Sequence, residues 1–441
     1  MGRRPTDMDK VARDLVNSDD INVKKELAKK ILDAAYKKGI YPSSIHGLYI
    51  ARGKEEFKGF TVPAMNLRVM TYDLAKAVFR VAKRNNAAAF VFEIAKSEMG
   101  YTAQPPVEYS AVILAAAIKE GYTGPVFIQG DHFQANAKKY AEDPAKELDG
   151  LKALIADAME HHFYNIDIDS STLVDLAKTD LKKQQFNNYL VCAKLTHYIR
   201  QIQPRGITVS VGGEIGEVGH KNSTPDDLRA FMAGFAGTLR KGLTGISKIS
   251  IQTGTSHGGV VLPDGTIAQV KLDFEALRTI SDIARKEYGM AGAVQHGAST
   301  LPDEAFHKFP ETETAEVHLA TNFQNMVYDS KHFPAELKNK MYEWLKVNAA
   351  AERKEGQTDE QFFYSARKKA LGPFKKDIMS LAPEVRDAIA TEIELKFEFL
   401  FKQLGAVNNK ELVDKFVPLK RVIVRKRTEG KGVVHDGEGA D

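Results

Sequence analysis

The chain has 441 residues, 43% hydrophobic and 27% charged, the balance of a soluble globular protein able to bury a large core. Lysine and arginine number 62 against 58 acids, and a net charge of +4 gives no field that would draw nucleic acid. The charged start MGRRPTDMDK lacks a signal-peptide core and no run approaches the roughly 18 apolar residues of a membrane span, so a cytoplasmic protein with no membrane partner is expected.

In chain order, residues 9–58 have helical period and many lysines, and a purely helical lead-in is expected over residues 1–58. Short β-rich runs then alternate with longer helical segments: residues 60–66, 88–94, 125–131, 164–169, 207–214, 247–253, 291–296 and 315–319. Eight such repeats predict an α/β fold closed as a (β/α)8 barrel over residues 59–330, with an open doubly wound sheet as the rival. No dinucleotide glycine fingerprint follows any strand, and the stretches GEIGEVG and TGTSHGG lack the Lys-Ser/Thr of a phosphate loop, which weakens that rival. The single cysteine, Cys192, stands in the helical stretch LVCAKLTHYIR and reads as a small buried hydrophobe. Residues 331–425 form long charged helices expected to pack on the barrel, and residues 426–441 are polar and expected to be disordered.

In a (β/α)8 barrel the chemistry lies where strands open into loops at the C-terminal face. Those ends are polar here: Gly130-Asp131-His132, Asp167-Ile168-Asp169, Gly213-Glu214, Ser256-His257-Gly258-Gly259 and Gln295-His296-Gly297-Ala298-Ser299. Histidines at separate strand ends, His132, His257 and His296, fit an open site for zinc, or for another divalent ion such as iron or cobalt. A lone histidine is more often structural, and His161, His162, His197 and His307 are read that way. Asp131 and His132 are consecutive on an extended segment, so their side chains should diverge, one ligating and Asp131 left to move a proton. The plain alternative for Asp131 is a helix cap, and Asp169 and Glu214 either bind a second cation, support the histidines or cap helices. Gly258-Gly259 and Gly297-Ala298-Ser299 offer N–H groups for a phosphate, unless they only form tight turns.

At these residues the sequence resembles the class II, metal-dependent fructose-bisphosphate aldolases, from near Phe60 to the helix near Leu404, in order and spacing as well as motif. VPAMN, ending in Asn66, resembles the family's opening strand, GDHF its Asp-His motif and IDSS its Ile-Asp motif. GEIGEVG, TSHGG and QHGAS resemble its Glu-x-Gly-x-x-Gly, Ser/Val-His-Gly and His-Gly-Gly-Ser stretches. The resemblance implies zinc on His132, His257 and His296, proton transfer by Asp131, and a second cation near Asp169 and Glu214. It also implies phosphate contacts at Gly258, Gly297, Ser299 and Thr321, substrate contacts at Asn66 and His318, and a homo-oligomer. EQFFYSAR resembles a Tyr-Tyr-x-x-Arg stretch, which makes Arg367 the partner of a second phosphate.

The sequence also departs from the family pattern. Its Asn-x-Asp-Thr is here His318-Leu319-Ala320-Thr321, with an alanine that resembles tagatose-bisphosphate aldolases. Ala95 replaces a serine, Glu93 stands where glutamine is usual, and the acidic proton carrier after Glu214 falls at His220-Lys221-Asn222, which makes His220 the second carrier. The expected activity is reversible cleavage of a ketose 1,6-bisphosphate, fructose 1,6-bisphosphate foremost, into dihydroxyacetone phosphate and glyceraldehyde 3-phosphate. The alternatives are an aldolase for another phosphorylated sugar such as tagatose 1,6-bisphosphate, a catalytically weak sugar-phosphate-binding barrel, and a Schiff-base aldolase using Lys248.

Overall fold

The computed structural model describes residues 7–216, 221–254 and 272–422. Among these residues the strands are β1 (Ile40–Ser43), β2 (Val62–Asn66), β3 (Val91–Ala95), β4 (Gly124–Gln134), β5 (Asn165–Asp169), β6 (Ser210–Glu214), β7 (Lys248–Ile251), β8 (Ala293–Gln295) and β9 (Glu316–Leu319). From β2 to β9 each strand pairs in parallel with the next, and β9 returns to β2, which closes the expected eight-stranded (β/α)8 barrel. β2, β3 and β5 are buried along their whole length, as strands with helices outside and packed side chains inside must be. Cys192 is fully buried in the helix Phe186–Ile202.

The lead-in is not wholly helical. Between the helices Ile21–Lys37 and His46–Gly53, β1 pairs with the start of β4, from Ile40 opposite Gly124 to Ser43 opposite Phe127. β4 is 11 residues long and meets β5 only from Gln129 onward, so its first half presents an edge that a short strand can take. Asn165 stitches the junction: its amide donates to Ile128 O at 3.0 Å and its carbonyl accepts from Ile45 N at 2.9 Å.

The helix His46–Gly53 closes the N-terminal end of the barrel. Tyr49 bonds Glu316 from below, and Arg52 reaches Glu313 at 3.0 Å and Thr314 O at 3.2 Å. A Cβ on Gly53 would lie 2.1 Å from Gly289 O, so the helix seats this closely only with glycine there. After residue 330, the helix Pro383–Gln403 lies along Thr71–Arg84, joined by Arg386 to Asp73 at 2.9 Å and Arg80 to Glu394 at 2.6 Å. Glu108 on the barrel helix Pro106–Lys119 is buried between Lys24 of the lead-in and Lys375 of the C-terminal helices. No helix of the described residues is long and apolar enough to cross a membrane. The tail expected over residues 426–441 lies outside the described residues.

Candidate active site

The mouth of the barrel is shaped by an irregularity in β4. The register with β5 shifts between Gly130 and Phe133, and a Cβ on Gly130 would meet the Phe133 ring at 2.4 Å. His132 takes a φ of 39°, in the left-handed region that histidine enters more readily than most side chains. That backbone costs on the order of 1–3 kcal/mol and is a feature of functional sites. Its effect is that Asp131 and His132 do not diverge as consecutive residues of an extended strand would. Both face one cluster.

Asp131 Oδ1 lies 3.2 Å from His296 Nε2 and 3.4 Å from His318 Nδ1. His132 turns Nδ1 to Asp169 Oδ2 at 3.1 Å and Glu214 Oε2 at 3.4 Å, and its ring centroid is 4.2 Å from that of His296. Asp169 is held in turn by Gln134 at 2.6 Å and the Ser171 hydroxyl at 2.7 Å. Burial opposes a charge on His132, but Asp131, Glu214 and Asp169 outweigh it and hold its pKa well above the ordinary range. Burial, and then repulsion from His318 and His132, hold His296 well below it, so its ring is the neutral imidazole that ligates metals. Burial and the Asp169 carboxylate push Glu214 up to about 7, whereas Asp169, despite burial, is drawn down to about 2 by its bond to His132.

Carboxylates gathered around an imidazole make a place that favours a cation. Asp131, His132 and His296 each bring one donor atom within 4.8 Å of the others, and so do His132, Asp169 and Glu214. Nitrogen and carboxylate donors in this mixture suit zinc or a related divalent ion, so the residues present fit such a group.

Beneath the mouth a second polar layer joins His318, Glu93 and Lys248, each singled out from sequence for another reason, to Asp167 and Glu316. His318 Nδ1 is 2.6 Å from Glu93 Oε2, and its Nε2 is 2.6 Å from Glu316 Oε1. Lys248 Nζ bonds Glu316 at 2.5 Å, Asp167 at 2.8 Å and Gln129 at 2.9 Å. Burial would lower the lysine pKa, but Asp167 and Glu316 raise it above the usual lysine range, so Lys248 carries a proton and has no lone pair to attack a carbonyl. That argues against the Schiff-base alternative. The signal was present in the sequence as period two: Asp167 and Glu316 precede Asp169 and His318 by two residues and therefore share their face.

The other residues singled out from sequence are distributed as follows. Asn66 ends β2, buried, its amide donating to Glu98 Oε2 at 2.6 Å. Gly297 has a φ of 67° and leads into the turn holding Ser299, whose hydroxyl accepts from Ala320 N at 2.6 Å and so ties the ends of β8 and β9. Thr321 opens the helix Thr321–Asp329. Arg367 is 4% exposed, its guanidinium on Asn325 and on Asp329 at 3.1 Å, between the rings of Tyr328 and Tyr364. His220, His257 and Gly258 lie outside the described residues.

The family model for class II fructose-bisphosphate aldolases matches residues 53–403. The chain belongs to that family. Among solved structures this aldolase is similar to a probable tagatose 6 phosphate kinase from Sinorhizobium meliloti 1021, at 14% identity over 77% of this chain and 99% of that one, with a TM-score of 0.56. It is also similar to the fructose-bisphosphate aldolase of Campylobacter jejuni (18% identity, 84% and 97% covered, TM-score 0.49) and to the YdjI aldolase of Escherichia coli K12 (13%, 83% and 99%, TM-score 0.47). At such identities the first of these likenesses speaks for the fold of the aldolase and no further. A comparison with curated proteins finds no match.

Proposed function

We propose that this class II aldolase is divalent-metal-dependent, with zinc foremost, and reversibly cleaves a ketose 1,6-bisphosphate, fructose 1,6-bisphosphate foremost, into dihydroxyacetone phosphate and glyceraldehyde 3-phosphate. The observation that carries the reading is Asp131, buried at the barrel mouth with its carboxylate 3.2 Å from His296, in the same cluster as His132. His132, His257 and His296 would hold the ion, with Asp169 and Glu214 supporting His132 or holding a second cation. When bound, such an ion supplies Lewis-acid polarisation of the ketose carbonyl. Asp131 takes the proton of the C4 hydroxyl as the C3–C4 bond breaks, and returns it in the condensation. His220 is the proposed carrier of the second proton. N–H groups at Gly258, Gly297 and Ser299, with Thr321, hold the near phosphate, as backbone donors at strand-to-helix turns do.

The far phosphate is assigned to Arg367 from sequence alone. Because Asn325 and Asp329 already occupy that guanidinium, reaching a phosphate requires it to exchange partners. Arg367→Ala tests this: a raised KM for a bisphosphate with no change for the matching monophosphate supports the contact, and equal effects remove it. The sugar is tested by assaying fructose 1,6-bisphosphate beside tagatose 1,6-bisphosphate and their monophosphates for release of dihydroxyacetone phosphate. Fastest cleavage of fructose 1,6-bisphosphate is expected. Faster cleavage of the tagatose epimer would favour the second reading, which Ala320 and His318 prompt. Binding of all four with cleavage of none would leave a sugar-phosphate-binding barrel.

A further inference from the structure

Between the lead-in and the C-terminal helices lies a cleft of about 440 Å³, lined by Ser18, Lys24, Ala103, Gly372, Lys375 and Lys376 among others, none of them a residue of the barrel mouth. Small-ligand sites enclose roughly 300–1,000 Å³, so the cleft has room for a metabolite. Its floor is the trio of Lys24, Glu108 and Lys375. Lys24 is 7% exposed and Glu108 1%. Lys24 Nζ bonds Glu108 and donates to Leu15 O at 2.8 Å, while Lys375 Nζ meets the two Glu108 oxygens at 2.8 and 3.0 Å. Two ammonium groups therefore share one carboxylate, which leaves a positive charge beneath the surface. Burial lowers the Lys375 pKa, and although Glu108 opposes this, Lys24 and Lys376 add to the lowering, so the three lysines repel one another.

The third lysine is answered only from the surface. Lys376 meets Asp19 at 2.5 Å, but the Asp19 side chain is 87% exposed, and a pair so open to water is weak and easily exchanged. Once Asp19 turns to solvent, three lysines face Glu108 alone and carry two positive charges in excess, the charge of a phosphate dianion. Buried charges are paired or hold a ligand, so the surplus calls for an anion. The residue types narrow its class. A planar carboxylate is best matched by the fork of an arginine, and no arginine lines the cleft. Lysine binds phosphate as a point charge, and ammonium groups approaching from two sides, Lys24 from the lead-in and Lys375 and Lys376 from the C-terminal helices, suit a tetrahedral group.

We propose that this cleft is a second phosphate site, apart from the barrel mouth, in which Lys24, Lys375 and Lys376 hold the phosphate group of a small phosphorylated metabolite and so clasp the lead-in to the C-terminal helices. The clasp reaches the rest of the molecule through Gly372, whose N–H donates to Tyr101 O at 3.0 Å. A Cβ on Gly372 would lie 2.5 Å from that oxygen, so this turn sits directly on the helix Lys96–Tyr101 that follows β3. Arg367 precedes the same turn by five residues, which places the bound phosphate where it steadies the segment carrying that side chain.

Amide hydrogen exchange of the native enzyme, with inorganic phosphate, malonate or chloride at one ionic strength, tests the site in place, because peptides of the cleft and of the barrel mouth are read separately. With phosphate, peptides covering residues 15–24 and 371–379 should exchange more slowly than in chloride. At ten times the dissociation constant, exchange that passes through undocking of these segments slows about tenfold. Malonate should leave them as chloride does. Lys376→Glu reverses a charge whose side chain is 47% exposed, and it should abolish the protection of the cleft peptides. The comparison of anions on the native enzyme needs no variant, so the test stands even if that substitution disturbs folding. Protection confined to the barrel mouth, equal protection by malonate or chloride, or protection that persists in a folded Lys376→Glu variant would overturn the proposal.

Discussion

Asp131 is set apart by the company of its carboxylate. Burial alone would raise its pKa, but His132, His318 and His296 reverse that and hold it well below the usual carboxylate range, so it is ionised and able to accept a proton. Replacing it with asparagine keeps the shape and removes the basic oxygen. Asp131→Asn is expected to slow retro-aldol cleavage by about 10²–10⁴-fold, the usual worth of a positioned acid or base, with the zinc content of the purified protein unchanged. Loss of zinc with full turnover per remaining ion would make Asp131 a ligand instead. The sequence brings Asp131 and His132 forward as neighbours at a strand end, but not their shared orientation. That orientation comes from the left-handed φ at His132 and the absence of a Cβ at Gly130, which no pattern of apolar and polar residues announces.

At the scale of elements, the eight barrel strands are legible because each is a short apolar run ending in polar residues. β1 is not, because it is four residues long, contains Pro42 and exists only by pairing with the overhang of β4. The layer inside the barrel is hidden for a similar reason: Glu93, Asp167, Glu316 and Lys248 sit on separate strands and become one network only on closure. Lys248 is 1% exposed and bonds Asp167 and Glu316, so Lys248→Met takes the lysine cation from two buried carboxylates, of which Glu316 keeps His318. Breaking a buried pair from one side costs about 3–5 kcal/mol, and the urea midpoint should fall accordingly. Borohydride treatment of the native enzyme with substrate should give no adduct at Lys248. A trapped adduct, or a variant as stable as the native chain, would mean that Lys248 is not the fixed cation of this network.

At the scale of the whole molecule, lead-in, barrel and C-terminal helices share one core, so a local proton can be felt by global stability. Burial, with His161 adding a little, drives His162 down from an ordinary 6.5 to about 3. The unfolded chain then takes up a proton as pH falls below that ordinary value, while the folded chain does not until about 3, so stability is lost on acidification across this window. The loss amounts to at most about 1.4 kcal/mol per pH unit. His162 has a φ of 71°, which asparagine tolerates, and His162→Asn should flatten the fall in urea midpoint between neutral and mildly acid pH. An unchanged slope would show that other groups govern the acid response.

A metal titration of the stripped enzyme tests most directly the proposal that the barrel mouth cleaves sugar bisphosphates with a divalent ion held by its histidines. Chelator-treated enzyme is supplied with fructose 1,6-bisphosphate while zinc is added in small steps, and release of dihydroxyacetone phosphate is followed alongside bound zinc. The rate should begin near zero and rise in proportion to zinc until His132, His257 and His296 are occupied, with His296→Ala failing to recover. Undiminished cleavage after chelation, or full recovery in the His296→Ala variant, would contradict the claim.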